Sequence, residues 1–350
     1  MKKTLTVLIM VLLAAMLIIS CDNSTNEPKK EDSSTTPTET PTTPTTPAEP
    51  TPSTYMVTFR LGESSSTGSA FDAQEIVGGE KAQKPATNPI ATDKYKTFDF
   101  WSADNGATEF KFDETAITKD IVLQAVYRDY EVGDTGPAGG IIFYDVDADN
   151  NIETVDKAGA RKKNLDGLTS SECDWRYLEV SPSDLSYTDN EDNVSNSFIF
   201  GINWPMATGN PTMETCGASE DQIGKGKTNT ATLVQKMGNA AGTSLNKGEY
   251  MSNTSVYAAK LCADYGKDTE YNDWFLPSRY ELNALYTEYK NGKIGGTWHS
   301  EKLSSGYVAY WSSTESNKVN AYTVDFSDGT ERTTGRQDVN NRYVRAVRAF

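Results

Sequence analysis

The pattern of apolar and polar positions divides this chain of 350 residues into segments of different kinds. Leu5 to Ile19 is an almost unbroken apolar run behind Lys2 and Lys3. Residues 22–54 are Ser, Thr, Pro, Glu and Lys with almost nothing apolar. Such a stretch cannot bury enough surface to offset chain entropy, so a disordered stalk is predicted. Its prolines (Pro37, Pro41, Pro44, Pro47, Pro50 and Pro52) favour an extended, semi-rigid form. Alternation then begins. Met56 to Leu61 reads as a strand, Glu75 to Val77 as a strand running into the Gly78-Gly79 turn, and Ile121 to Tyr127 as a closing strand. The aromatic cluster Lys94 to Trp101 should supply the core of this small first domain, residues 55–128.

Residues 129–350 make a second, larger domain. It opens with the glycine-rich Val132 to Gly140 and the strand Ile141 to Tyr144, and it closes on Arg342 to Phe350, read as one strand. Strands at both ends predict that the two pair and close the domain. Helices are predicted over 228–240, 254–265 and 278–290. The last is the clearest: Ser278 and Glu281 form a capping box, and Leu282, Leu285, Tyr286 and Tyr289 fall on one face. The fold class is therefore α+β.

The first 20 residues resemble a bacterial lipoprotein signal peptide. A positive start, an apolar core and Ser20-Cys21 match the lipobox pattern, with Ile18 where Leu is usual. The resemblance implies removal of residues 1–20 and lipidation of Cys21, making the membrane a partner through the lipid. The apolar run is short for a transmembrane anchor, which needs about 20 residues. Either route places the chain in the cell envelope, at the outer membrane or cell surface. Asp22 resembles an inner-membrane retention signal, so the choice of membrane stays open.

Lys and Arg number 33 against 49 Asp and Glu, a net charge of −16, which loss of Lys2 and Lys3 takes to −18. So acidic a chain repels polyanions, and no nucleic-acid partner is expected. Of four cysteines, Cys173, Cys216 and Cys262 remain after Cys21, enough for one disulfide whose pairing the sequence does not choose. No Cys-x-x-Cys spacing supports a zinc site. The single histidine, His299, sits in a loop-like stretch without a nucleophile motif, so no enzyme is expected.

Val57-Thr58-Phe59, Gly79-Glu80-Lys81, Pro85, Pro89, Tyr95, Phe98, Trp101, Phe112, Ile117-Thr118 and Leu123-Gln124-Ala125 resemble the internalin-type B-repeat, or Listeria–Bacteroides repeat. Phe100 and Tyr127 depart from its pattern. The resemblance implies a small β-grasp-like module, read here as a spacer. Residues 131–350 resemble the Lcl C-terminal domain family. That resemblance rests on Gly133 to Gly140, Trp175 to Glu179, Gly224 to Thr230, Asp273 to Ser278, Glu281-Leu282, Tyr310 to Ser313 and Val344 to Arg348. It implies a C-type lectin-like fold and adhesion to sulfated glycans, without catalysis.

Several motifs carry less than they suggest. Gly226-Lys227-Thr228 is the tail of a phosphate loop, but Asp221 stands where the first Gly belongs, so a turn into a helix capped by Thr228 is expected. Asp145, Asp147 and Asp149 lack the Gly and Glu of a calcium loop. No cofactor is expected; calcium is the one ion that a lectin-like fold leaves open. Trp274 and Trp311 read first as core, although Trp311 is also carried as a sugar platform. The irregular segment after Trp311 is the expected face for an extracellular glycan or protein ligand. Its candidates are Asn317, Asn320, Tyr322, Asp325, Ser327, Asp328, Arg332, Arg336, Asn340 and Asn341, with Arg332 and Arg336 suited to sulfate or carboxylate. Three rivals stand beside this reading. The fold also hosts the variable proteins of diversity-generating retroelements, and residues 314–341 are rich in the residue types those systems produce. It also occurs in a sulfatase-modifying oxidase that depends on a cysteine pair, but no cysteine follows Cys262. A purely structural envelope role is the third.

Overall fold

The computed structural model describes residues 52–62, 71–147, 152–155, 161–163, 175–202, 213–238 and 256–350. The leader, Cys21, most of the stalk, Asp149 and Cys173 lie outside them. No helix among the described residues is long and apolar enough to cross a membrane.

The first module is one mixed sheet of β1 (Thr54–Arg60), β2 (Gln74–Val77), β3 (Lys96–Ser102) and β4 (Ile121–Asp129), in the order β2-β1-β4-β3. β1 runs parallel to β4, and both other pairings are antiparallel. Val57, Phe59, Leu123 and Ala125 alternate inward and bury with Trp101, Phe110 and Ile117. Phe59 meets Trp101 edge-on at 5.0 Å between ring centroids, a favoured aromatic geometry. Of the predicted aromatic cluster, Trp101 enters this core and Phe98 packs against it, while Tyr95 packs on Tyr177 of the larger part.

The larger part is α+β. Its strands are β5 (Ile141–Asp145), β6 (Ile152–Val155), β7 (Arg161–Lys163), β8 (Tyr177–Val180), β9 (Tyr187–Thr188), β10 (Val194–Ser195), β11 (Ala309–Glu315), β12 (Asn320–Asp325), β13 (Glu331–Gly335), β14 (Arg342–Tyr343) and β15 (Val347–Ala349). Its helices are α1 (Gly226–Met237), α2 (Ala258–Asp264) and α3 (Arg279–Lys290). One sheet has the order β13-β12-β11-β14 and another β15-β8-β5. Helices α1 and α2 share a buried core with Trp311 and Val344, and α3 packs Leu282 and Leu285 against Tyr310 and Val324.

The expected pairing of the two end strands needs correction. β5 and β15 do not pair; each runs antiparallel to β8, which lies between them. All four residues of β8 are buried, so it takes the central position that edge strands leave. The closing run is also not one strand. It breaks into β14, paired with β11, and β15, paired with β8, so residues 344–346 carry the chain from one sheet to the other. Arg342, Arg345 and Arg348, three apart, then reach four acidic partners: Asp338, Asp184, and Glu179 with Asp273.

The two modules dock through aromatic rings. Tyr95 of the first module lies 6.3 Å from Tyr177, and Tyr130, just past the boundary, packs edge-on to Tyr177 and to Phe350, at 5.6 Å each. Arg176 adds an ion pair to Asp129 at 2.7 Å and a two-pronged bond to Asp145 at 3.0 Å. With Asp147 3.1 Å from Arg176, two of the three aspartates that suggested a calcium loop serve this guanidinium instead.

The capping box of α3 is present in full: Ser278 Oγ accepts from the Glu281 amide, and the Glu281 carboxylate accepts from the Ser278 amide at 2.7 Å. Glu281 does more than predicted. It also takes the amides of Gly224, at 2.7 Å, and of Gly226. The Gly-Lys-Gly-Lys turn therefore cradles a carboxylate of its own chain. This moves the start of α1 to Gly226, so Thr228 lies inside the helix and is not its cap. A Cβ at Gly226 would come within 2.2 Å of Glu281 Oε2, which explains the glycine.

Burial outweighs these amides and pushes Glu281 up to about 7 from a usual 4.5. A raised acid favours the folded state most when protonated. Its contribution is full below about pH 4.5 and lost as pH rises through about 7. Stability of the wild type relative to Glu281→Gln should therefore fall by about 2–3 kcal/mol across that window. Urea unfolding at pH 4.5, 6 and 8 measures it; parallel curves for the two proteins would refute it.

Candidate functional site

The hairpin topology separates the residues proposed from sequence. The β11–β12 turn carries Asn317, whose side-chain oxygen accepts the amides of Val319 and Asn320 at 2.9 and 3.0 Å. Asp325, Ser327 and Asp328 lie at the opposite end of β12, where Asp325 accepts from the Ser327 amide and hydroxyl at 2.9 and 2.7 Å. The pleat separates them further. Tyr322 faces α3 and lies 4.3 Å under the Arg279 guanidinium, which also pairs with Glu331. Neighbouring Thr323 points to the other face and meets Thr334 at 2.8 Å.

Two candidates are corrected outright. Trp311 is fully buried and donates its indole N–H to the Phe198 carbonyl at 2.7 Å, so it offers no platform. Arg336 is equally buried. Its Nη1 pairs with Glu315 at 2.7 Å and its Nε donates to the Gly201 carbonyl at 2.9 Å. Glu315 in turn accepts the successive amides of Cys216, Gly217 and Ala218, at 2.8 to 3.0 Å. This buried knot uses all of its charge internally. Asp325 is only 2% exposed and reaches the outer face through Arg332, at 3.3 Å.

On that outer face the structure brings together Arg332, Tyr307 and Arg342. The Tyr307 ring lies between the two guanidinium groups, with Arg332 4.5 Å and Arg342 3.9 Å from its centroid. Its hydroxyl meets Thr334 at 2.8 Å, fixing the ring. Arg342 is buried and spends its terminal nitrogens on Tyr307 O, Asn340 O and Asp338, at 2.7 to 2.8 Å. Arg332 keeps 35% of its side chain exposed. Asn340 and Asn341 lie beside it on the loop into β14: the Asn340 amide bonds Asp338 at 2.9 Å, and Asn341 holds φ 55°. The result is one half-exposed guanidinium, stacked and steered by an aromatic ring on a cationic backing.

Sequence reasoning missed Tyr307 and Arg342. Tyr307 stands just before the Tyr310 to Ser313 motif and belongs to no motif of its own. Arg342 was counted as part of a strand. The three-residue spacing of Arg342, Arg345 and Arg348 was the available signal, because it cannot keep one face of a strand.

His299 lies in the expected loop but is bonded within the fold. It stacks on Tyr343 at 3.7 Å and shares a 2.6 Å hydrogen bond with Asp184. Cys216 and Cys262 are free, buried thiols, so they do not pair with each other. Burial and the nearby Glu315 push Cys216 up to about 11, far from a reactive thiolate. Among the described residues no group of three or more His, Cys, Asp or Glu is placed to hold a metal ion.

These features define an α+β domain with a polar, irregular face at one end of a four-stranded sheet. Residues 201–348 match the model of the Lcl C-terminal domain family. The match begins after β5 and β8, although both are bonded into the sheet that β15 completes. No curated protein matches the chain.

Proposed function

We propose that this is a lipid-anchored envelope protein whose C-terminal domain binds an extracellular ligand and does not catalyse. The Arg332–Tyr307–Arg342 stack carries the reading, because it holds a partly exposed guanidinium in one orientation. Such a fork suits a sulfate or carboxylate bidentately, and pre-set geometry lowers the entropy lost on binding. The ligand is a sulfated glycan or an acidic protein segment. Because the whole chain is acidic, attraction acts over the local patch and weakens with salt. In this reading Cys21 carries the lipid, residues 22–54 hold the domains off the membrane and residues 55–128 form a B-repeat-like module. Residues 129–350 adopt a C-type lectin-like arrangement, for which the first and last strands sharing β8 is support.

The test is binding of the full chain to sulfated glycans and matrix proteins, with and without calcium. Arg332→Ala and Tyr307→Ala should each weaken binding about tenfold or more, equivalent to about 1.4 kcal/mol. Tyr307→Phe keeps the stack and should bind nearly as the parent does. Wild-type affinity in folded Arg332→Ala and Tyr307→Ala proteins would sink the proposal. Arg336→Ala is unsuited to this test, because it empties a buried pair.

A further inference from the structure

The junction of the two modules encloses a cleft of about 410 Å³. That volume lies in the small-molecule range, and module junctions are favoured places for ligand sites. The first module supplies Phe98 and the second Phe350 and Tyr271, with Tyr130 between them. Tyr130 and Phe350 are held edge to face, so this wall is already packed and needs no ordering to receive a ligand. On the rim, Ile90 is 89% exposed, the highest value among the exposed large apolar side chains. An isolated exposed isoleucine means little. One bordering an aromatic cleft extends the apolar wall toward solvent.

The charge at the cleft runs against that of the chain. Lys94, Lys96 and Arg348 line it, while the molecule as a whole carries −16. Acidic groups border it too: Asp93 is in the lining, and Glu270 hydrogen-bonds the Tyr271 side chain. The Asp93 carboxylate accepts the Tyr95 amide at 3.0 Å, and Glu179 and Asp273 hold Nη1 and Nε of Arg348. Those bonds leave Arg348 Nη2 without a hydrogen bond among the described residues, and they keep the guanidinium 4.8 Å over the Tyr271 ring. A bare inorganic anion would leave the aromatic wall wet. The geometry points to a second ligand site, in which both modules bind a small aromatic carboxylate or sulfonate, its ring among Phe98, Tyr130 and Phe350 and its charge toward Lys96 and Arg348. The first module is then part of a binding site and not only a spacer.

The experiment is a fluorescence titration of the full chain with 8-anilinonaphthalene-1-sulfonate, compared with its uncharged relative N-phenyl-1-naphthylamine and with inorganic sulfate as competitor. One saturable site is expected, with the uncharged probe at least tenfold weaker and sulfate a poor competitor. The double variant Lys94→Gln/Lys96→Gln and the single variant Tyr271→Ala should each raise Kd at least tenfold while the near-ultraviolet circular dichroism is unchanged. Lys111→Gln and Lys290→Gln, which lie elsewhere, should bind as the parent does. Absence of saturable binding, equal affinity for the uncharged probe, an unchanged Kd in both cleft variants, or loss of binding in Lys111→Gln would each overturn the assignment.

Discussion

Replacing Glu315 with Ala is expected to destabilise the protein by about 3–5 kcal/mol, because it removes one partner of a buried ion pair and leaves the other charged. The side chains of Glu315 and Arg336 are 2% and 0% exposed. The loss reaches beyond the pair. The amides of residues 216–218 would lose their acceptor, and buried donors without partners are costly in themselves. Arg336 would keep only carbonyls and the sulfur atoms of Cys216 and Met237, at 3.6 and 3.8 Å. Three stretches of chain far apart in sequence are joined at this point, so urea unfolding should show a large fall in midpoint. Removing both charges together as Glu315→Gln/Arg336→Met should cost less than Glu315→Ala alone, since no charge is then stranded. A double variant at least as unstable as the single one would show that the pair is not the reason.

Asp184→Ala should cost about 3 kcal/mol or more, for a related reason with different geometry. Its carboxylate accepts the Tyr310 hydroxyl at 3.0 Å, shares a hydrogen bond with His299 at 2.6 Å and pairs with Nε of Arg345. The Arg345 side chain is fully buried, 3.8 Å over Trp298, with Nη1 on the Ser181 carbonyl at 2.7 Å. Burial and the Asp184 charge hold the Tyr310 phenol far above its ordinary range, so it stays a donor at any ordinary pH. His299→Gln should cost much less, because 31% of that side chain faces solvent and the Arg345 and Tyr310 contacts survive. Thermal or urea unfolding of both variants decides the matter. Equal losses would place the histidine, not the arginine, at the centre of the cluster.

What the sequence made legible was local. The capping box of Ser278 and Glu281, the aromatic core around Trp101 and the existence of all three helices follow from spacing within a few residues. Register and partner choice did not. Nothing in Tyr177 to Val180 says that it will sit between the first and last strands of the domain. That position is set by packing on both of its faces and by its antiparallel ladders to β5 and β15. The ligand-face residues were chosen for polarity in an irregular segment, but a pleated hairpin sends neighbours to opposite faces. Arg332 and Arg336, four apart on and just after β13, share a side yet meet different fates. One lies at the open end of the sheet; the other lies under the 198–202 and 214–218 segments, where Glu315 neutralises it.

The parallel pairing of β1 with β4 has a mechanical meaning. The chain enters the first module at Thr54 and leaves at Asp129, and these lie at opposite ends of two adjacent, co-directional strands. A pull between those points slides β1 along β4 instead of peeling them apart. The bonds between residues 57–60 and 121–124 then bear load together and must yield together.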